Sequence, residues 1–232
     1  IENIHKIIDP LFLDDLLDEF KKIISIPDRD KFVTRRRERT LKKDYRNALE
    51  SFQDKLASMK FLDPACGSGN FLTETYICLR RLENEVIEAI TGGQMYLSVI
   101  NPIKVSIGQF YGIEINDFAV TVAKTALWIA ESQMMKETES IVRRDLDFLP
   151  LTTNAFIHEG NALRMDWNDI IPASELSYIY GNPPFVGYKL QSREQKEDLC
   201  ELFSAKNLDY VAGWYKKSVI YMQHTQIKAA FV

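Results

Sequence analysis

Residues 60–71 read Lys60-Phe61-Leu62-Asp63-Pro64-Ala65-Cys66-Gly67-Ser68-Gly69-Asn70-Phe71. A short apolar run ends in an acidic residue and a proline, and two glycines follow within a bend. Apolar residues then recur at 72, 76, 79, 82, 86 and 90 up to Gly92-Gly93. That spacing is helical, and the glycine pair is a stop signal. The stretch is therefore strand, turn, helix. The unit recurs downstream. Phe110 to Ile115 is a second strand, followed by a helix that Asp117 is expected to cap. Ala155 to His158 is a third strand, running into Glu159-Gly160-Asn161-Ala162. Leu176 to Tyr180 is a fourth, ending in Gly181-Asn182-Pro183-Pro184-Phe185. Helical pattern near 191–203 and 209–224 leads to a fifth strand at 228–232. Alternation of this kind predicts an α/β fold with a mainly parallel sheet and right-handed crossovers. In such sheets ligands lie beyond the carboxyl ends of the strands, so the four turns should gather at one edge.

Upstream, Asp9-Pro10 precedes apolar residues at 13, 16, 17, 20, 23 and 24, the pattern of a helix with an Asp cap and a proline at its first position. A second, basic helix is expected over about 34–58. Residues 1–59 thus read as a helical N-terminal segment, and 60–232 as the α/β core. Between 21 and 46 stand eleven Lys/Arg and four Asp/Glu, although the whole chain carries a formal charge of −4. Arg35-Arg36-Arg37 reads either as a solvated helix face or as a phosphate-contacting patch, and composition does not choose.

Composition excludes several classes. The 232 residues are 46% hydrophobic and 27% charged, as in an ordinary globular protein. Cys66, Cys78 and Cys200 form no C-x-x-C pair, which speaks against a disulfide scaffold or a zinc cluster and for a reducing, cytoplasmic compartment. His5, His158 and His224 stand isolated in the sequence, so no metal is expected. No apolar run approaches the roughly 18 residues of a membrane span. The chain starts at Ile1 without Met and stops in an apolar run, as an excised fragment cut in or near its fifth strand would.

The turns carry the chemistry. Two glycines at a strand-to-helix bend admit a ligand close to the backbone. A dinucleotide fingerprint would put a third glycine at position 72, which is Leu, and an acidic residue about 20 positions on; here the next strand-end acid is Glu114. A Gly-Lys-Ser/Thr phosphate loop is absent too. A carboxylate at the strand end, Asp63, suits a cationic amino group. Glu114 can accept both hydroxyls of a ribose, and Ile115 offers an apolar face to an adenine ring. In Asn182-Pro183-Pro184-Phe185 the prolines fix the backbone. The Asn182 side chain and the Pro183 carbonyl then present two acceptors to an exocyclic amine, drawing its lone pair out of ring conjugation. Phe185 can stack on the ring. Glu19-Phe20-Lys21 and Glu194-Gln195-Lys196 fit half of a nuclease motif without a convincing upstream Asp. Trp128 and Trp214 sit at spacings typical of a core.

These three motifs, in this order, resemble the class I S-adenosylmethionine-dependent methyltransferases. More narrowly they resemble the gamma-class adenine-N6 DNA methyltransferases and the branch that fuses restriction and modification in one type II chain. The resemblance implies a Rossmann-like sandwich over 60–232. It implies that Asp63, Gly67 and Gly69 line the methionine end of S-adenosylmethionine, with Phe71 near its rings, and that Ala65 and Asn70 also bind this cofactor. Glu114 would hold the ribose, and Ile115, Asn161 and Ala162 the adenine. Asn182, Pro183, Pro184 and Phe185 would hold the target adenine, flipped from double-stranded DNA. It further implies a target-recognition domain, and a nuclease domain, in the same parent chain. The family's upstream Tyr-Thr-Pro-like motif is not evident; Phe32-Val33-Thr34 is nearest. Cytosine C5 chemistry would need a nucleophilic Cys after Pro, and no cysteine here follows one. The alternatives are a protein-glutamine or RNA amine methyltransferase, or an inactive cofactor-binding fragment.

Overall fold

The computed structural model describes residues 2–26, 35–92, 101–146, 154–204 and 207–232, with the backbone alone for 35–41. Five strands, β1 (Phe61–Asp63), β2 (Phe110–Glu114), β3 (Phe156–Glu159), β4 (Tyr178–Gly181) and β5 (Lys228–Phe231), form one sheet in the order β3-β2-β1-β4-β5. Every pairing is parallel. The chain builds outward from β1 to β3, then returns to lay β4 on the other side of β1. The order therefore reverses between β1 and β4, which is where an open α/β sheet opens a crevice. The expected parallel α/β architecture is what the chain adopts.

Strand side chains alternate between two cores, as a period of two requires. Phe61, Phe110, Ile157 and Tyr180 face one; Leu62, Tyr111, Ile113 and Ile179 face the other. The first core is covered by α4 (Asn70–Thr91) and α5 (Asp117–Val142), which link β1 to β2 and β2 to β3. The second is covered by α6 (Arg193–Leu202) and α7 (Ala212–Tyr221), between β4 and β5. The first core also takes in the N-terminal helices α1 (Glu2–Ile8), α2 (Asp14–Ile24) and α3 (Arg35–Ser58), through Ile8, Phe12, Leu16, Leu49, Phe52 and Leu56. Phe12 packs on Phe61 and Tyr178 at ring separations of 5.3 and 5.0 Å.

Two expected caps are corrected. Asp9 does not begin a helix: the backbone is helical on both sides of it, with a π-helical turn at Asp9–Leu13 in which the Asp14 N–H reaches the Asp9 carbonyl. The wider turn accommodates Pro10, which has no N–H for the α-helical ladder, and Asp9 turns its side chain to His5 instead. Asp117 is the first residue of α5, not its cap. Asn116, in extended backbone, accepts the Ala119 N–H at 3.1 Å.

Where α3, α4 and α5 meet, a polar knot is wholly buried. Arg80 (1% exposed) pairs with Glu83 (0% exposed) and donates to Thr138 at 2.6 Å. Glu83 also accepts from the Gln53 side chain at 2.7 Å and from the backbone N–H groups of Lys104 and Val105 at 2.6 and 3.2 Å. Among the described residues no helix is long and apolar enough to cross a membrane. Phe32-Val33-Thr34 lies outside the described residues, as do the side chains of Arg35-Arg36-Arg37 and residues 93–100 within the 91–109 extension of α4.

Candidate active-site cleft

The carboxyl ends of β1, β2, β3 and β4 border a cavity of about 660 Å³. Pro64 and Ala65 line it from the glycine bend, Glu114 and Ile115 from the end of β2, Asn161 and Ala162 from the turn after β3, and Asn182 and Pro184 from the turn after β4. The turns singled out in the sequence thus converge on one cleft, next to the reversal in strand order.

The bend is built by close backbone contacts. The Cys66 N–H donates to the Ile113 carbonyl at 3.1 Å, and the Gly69 N–H to the Cys66 carbonyl at 2.8 Å. Gly67 and Gly69 take φ of 52° and 80°, a region that L side chains rarely enter. A Cβ on Gly69 would lie 2.9 Å from that of Ala123 on α5, whereas one on Gly67 would meet nothing within 4 Å. Gly69 therefore brings helix against bend, while Gly67 stands open.

Glu114 is held in place before any ligand arrives. Its Oε2 accepts the Gly67 N–H and its Oε1 the Asn116 N–H, each at 2.9 Å. Each oxygen keeps a further lone pair for a ligand hydroxyl. Beyond it Ile115 is 68% exposed, an apolar side chain on the cleft wall.

Asp63 lies beneath this surface. It is 1% exposed and accepts one hydrogen bond, from the Ala65 N–H at 3.0 Å. Burial, with the nearby Glu114 carboxylate adding to it, pushes its pKa from 3.8 up to about 7 against the opposing effect of that bond. A Cβ on Gly181 would stand 2.4 Å from Asp63 Oδ1, so glycine at the end of β4 makes room for this carboxylate. The same burial raises the Cys66 thiol well above its ordinary value, which leaves it a poor nucleophile.

Not every expected residue reaches the cavity wall. Phe71 stacks on Tyr180 at 6.0 Å, half-buried in the first core. Asn70 opens α4 at the surface, and Gly67 and Gly69 form the bend behind Pro64 and Ala65. Pro183 is buried between exposed Asn182 and Pro184, and Phe185, 61% exposed, is not among the residues that line the cavity.

The second core adds residues that the motifs did not indicate. Asp198 on α6 is 3% exposed. It accepts from Asn161 Nδ2 at 2.9 Å, Arg164 Nε at 2.6 Å and the Tyr210 hydroxyl at 2.6 Å. Burial alone would raise its pKa, but these donors together hold it below the ordinary carboxylate value. Asn161, Arg164, Asp198 and Tyr210 all line the cavity. Trp214, expected in the core, is there and also lines the cleft, its Nε1 donating to the Pro64 carbonyl at 2.9 Å. Asp209 accepts the Val186 N–H at 3.0 Å, and Gln191 donates to the Val186 carbonyl at 2.7 Å, so the segment after Phe185 is pinned from below.

The profile of the MmeI DNA-methyltransferase domain family matches residues 38–232. DNA methyltransferase A of Bacillus subtilis is 39% identical over 242 aligned residues, covering 100% of this chain and 25% of the relative. A putative type II restriction enzyme and methyltransferase of Methanocaldococcus jannaschii is 27% identical over 139 residues, covering 59% of this chain and 11% of that protein. The solved structure of the type IIL restriction-modification enzyme MmeI in complex with DNA superposes with a TM-score of 0.86 at 39% identity, over 99% of this chain and 29% of that one. The chain thus spans about a quarter of the length of the curated relative that covers it whole.

Proposed function

This chain belongs to the MmeI DNA-methyltransferase domain family, and from that premise we propose that it is the catalytic core of an S-adenosylmethionine-dependent adenine-N6 DNA methyltransferase within a restriction-modification enzyme. On this reading residues 60–232 form the catalytic core and 1–59 a helical segment that braces it. Target-recognition and nuclease parts belong to the rest of such a parent chain, and the cytoplasm is where its substrate would be. The observation that carries the reading is the single cleft lined by Ala65, Glu114 and Ile115 on one side and by Asn182 and Pro184 on the other.

The residues present fit the cofactor. Asp63 is a buried carboxylate short of partners, with one backbone donor, and a cationic amino group brought near it, directly or through water, would favour its charged form. Glu114, oriented by Gly67 and Asn116, has lone pairs for a ribose. Ile115 and Ala162 offer apolar contact to an adenine, and Asn161, fixed by Asp198, a polar edge. The cofactor supplies an electrophilic methyl group on a sulfonium. On the other side, the Asn182 side chain and the Pro183 carbonyl hold the amine hydrogens, turning the nitrogen lone pair toward the donor side of the cleft. Flipping the base costs a few kcal/mol, and stacking on the exposed Phe185 ring offsets about 1–3 kcal/mol of that. Transfer is direct, and positioning supplies most of the acceleration.

Methyl transfer to DNA by the protein containing this chain is the test. Asn182→Ala should lower the rate by on the order of 100-fold or more while cofactor binding, measured by calorimetry, is retained. Transfer to a peptide or RNA but not to DNA would overturn the substrate. Failure of the folded chain to bind S-adenosylmethionine would overturn the class.

A further inference from the structure

At the junction of α1 and α4, away from the cleft, the structure brings together residues 69 or more positions apart in sequence. Glu74 and Cys78 are four residues apart on α4 and so share a face. His5 of α1 sits over them: its Nε2 is 3.2 Å from Glu74 Oε1, and Cys78 Sγ is 4.0 Å from the same oxygen. The three donor atoms lie within 4.8 Å of one another. On the other side of the ring, His5 Nδ1 stands 2.8 Å from Asp9 Oδ1. His5 is therefore not the isolated histidine that the sequence suggested.

We propose that His5, Glu74 and Cys78 form a binding site for one zinc-class transition-metal ion that ties α1 to α4. Zinc bonds of about 2.0–2.3 Å to nitrogen, oxygen and sulfur at tetrahedral angles set their donors roughly 3.3–3.7 Å apart. The existing separations, none above 4.8 Å, therefore need adjustment by about 1.5 Å at most. One nitrogen, one oxygen and one sulfur suit Zn²⁺ or Co²⁺ and not the hard, oxygen-seeking Mg²⁺ and Ca²⁺. Glu74, Cys78 and His5 are all partly accessible, which leaves a side open for water as fourth ligand. Asp9 supplies what a ligating imidazole ordinarily has, a carboxylate on its other nitrogen that fixes ring and tautomer. On binding, the Cys78 thiol gives its proton to solvent and coordinates as thiolate, while His5 coordinates through the Nε2 lone pair and keeps its proton on Nδ1. Glu74 lies one turn beyond Asn70, so the ion would fasten the N-terminal helix to the helix that leaves the glycine bend.

Titration of the reduced chain with Co²⁺, followed by absorption spectroscopy, tests the site. We expect one ion per chain, a sulfur-to-cobalt charge-transfer band, the intense visible bands of four-coordination, and displacement by Zn²⁺. Cys78→Ser should abolish the charge-transfer band and Cys200→Ser should leave it unchanged. Asp9→Asn should weaken binding by on the order of tenfold, and His5→Gln by more. Circular dichroism checks that each variant is folded, and Cys78→Ala replaces Cys78→Ser should the latter fail to fold. A band that survives loss of Cys78, a band that depends on Cys200, or no band at all overturns the proposal. So does a chain that is stabilised by His5 yet binds no metal, since that is an imidazole bridging two carboxylates. None of these readouts depends on methyl transfer.

Discussion

Glu83 and Asp63 are both carboxylates sealed from solvent, at 0% and 1% exposure, yet their surroundings are opposites. Glu83, among three helices, meets a guanidinium, an amide and two backbone N–H groups. Asp63, at the end of the central strand, has one backbone N–H. An interior charge with a complete set of donors holds elements together. One left short of donors at a strand end raises the free energy of its ionised form until a ligand supplies what is missing. The cleft is recognisable from that deficit as much as from its shape.

The largest effect should come from breaking the complete knot. Glu83→Ala leaves Arg80 buried without its carboxylate, and losing one partner of a buried pair costs about 3–5 kcal/mol. Urea denaturation should register that loss, while the folded fraction binds cofactor with unchanged affinity. A weakened affinity at full stability would show that the knot serves the cleft after all.

Asp63→Asn should move the two observables in opposite directions. The folded-state pKa of Asp63 is raised from 3.8 to about 7. The folded form therefore keeps a proton that the unfolded chain releases above pH 3.8. The stability this group contributes is complete below that pH and is lost as pH rises toward 7. Removing the ionisable group should thus stabilise the ligand-free chain at pH 8 by roughly 1 kcal/mol or more. It should also weaken cofactor binding by on the order of 10–100-fold, the worth of a charge-assisted bond. In the unsubstituted chain, affinity for a cationic ligand should climb as pH rises through about 7. Calorimetry at several pH values checks both, and a pH-independent affinity would remove Asp63 from the ligand's surroundings.

Asp198 lies between these extremes, a buried carboxylate with enough donors, all of them from residues that line the cleft. Asp198→Asn would set an amide against the Asn161 and Tyr210 donors and uncouple Arg164, which is itself half-exposed and so contributes little as an ion pair. Cofactor affinity should fall by about tenfold, the loss of one strong hydrogen bond. The accompanying loss in denaturation free energy should be smaller than that of Glu83→Ala.

The same contrast explains what the sequence revealed. Strands, glycine bend, Glu114 and the Asn-Pro-Pro-Phe turn were legible because each depends on neighbours within a few residues: an apolar run, a φ that favours glycine, a proline that fixes its predecessor. Asp198, Arg164 and the place of Trp214 on the cleft were not, because only the return of α6 and α7 over the sheet sets them beside Asn161 and Pro64. The caps failed for a local reason. Asp117 and Asn116 both suit a cap, and the extended backbone at Asn116 decides between them. At Asp9 a π turn absorbed the proline that looked like a helix start.

The smallest and sharpest test is Tyr210→Phe. The Tyr210 hydroxyl donates to Asp198 Oδ2 at 2.6 Å, and burial with that bond raises the phenol's pKa. The ring also stands edge-on to Trp214 at 5.2 Å and 83°, and Trp214 in turn holds the Pro64 carbonyl of the glycine bend. Phenylalanine preserves that packing and deletes only the donor, leaving Asp198 Oδ2 to Asn161 alone. A hydrogen bond to a charged acceptor contributes about 1.5 kcal/mol at the lower end, so affinity should drop by roughly tenfold or less. Because Asp198 retains two donors, the melting temperature should hardly change. If Tyr210→Phe instead destabilised the fold as much as Glu83→Ala, Asp198 would be a second structural knot, and only Asp63 would remain as a carboxylate kept for the ligand.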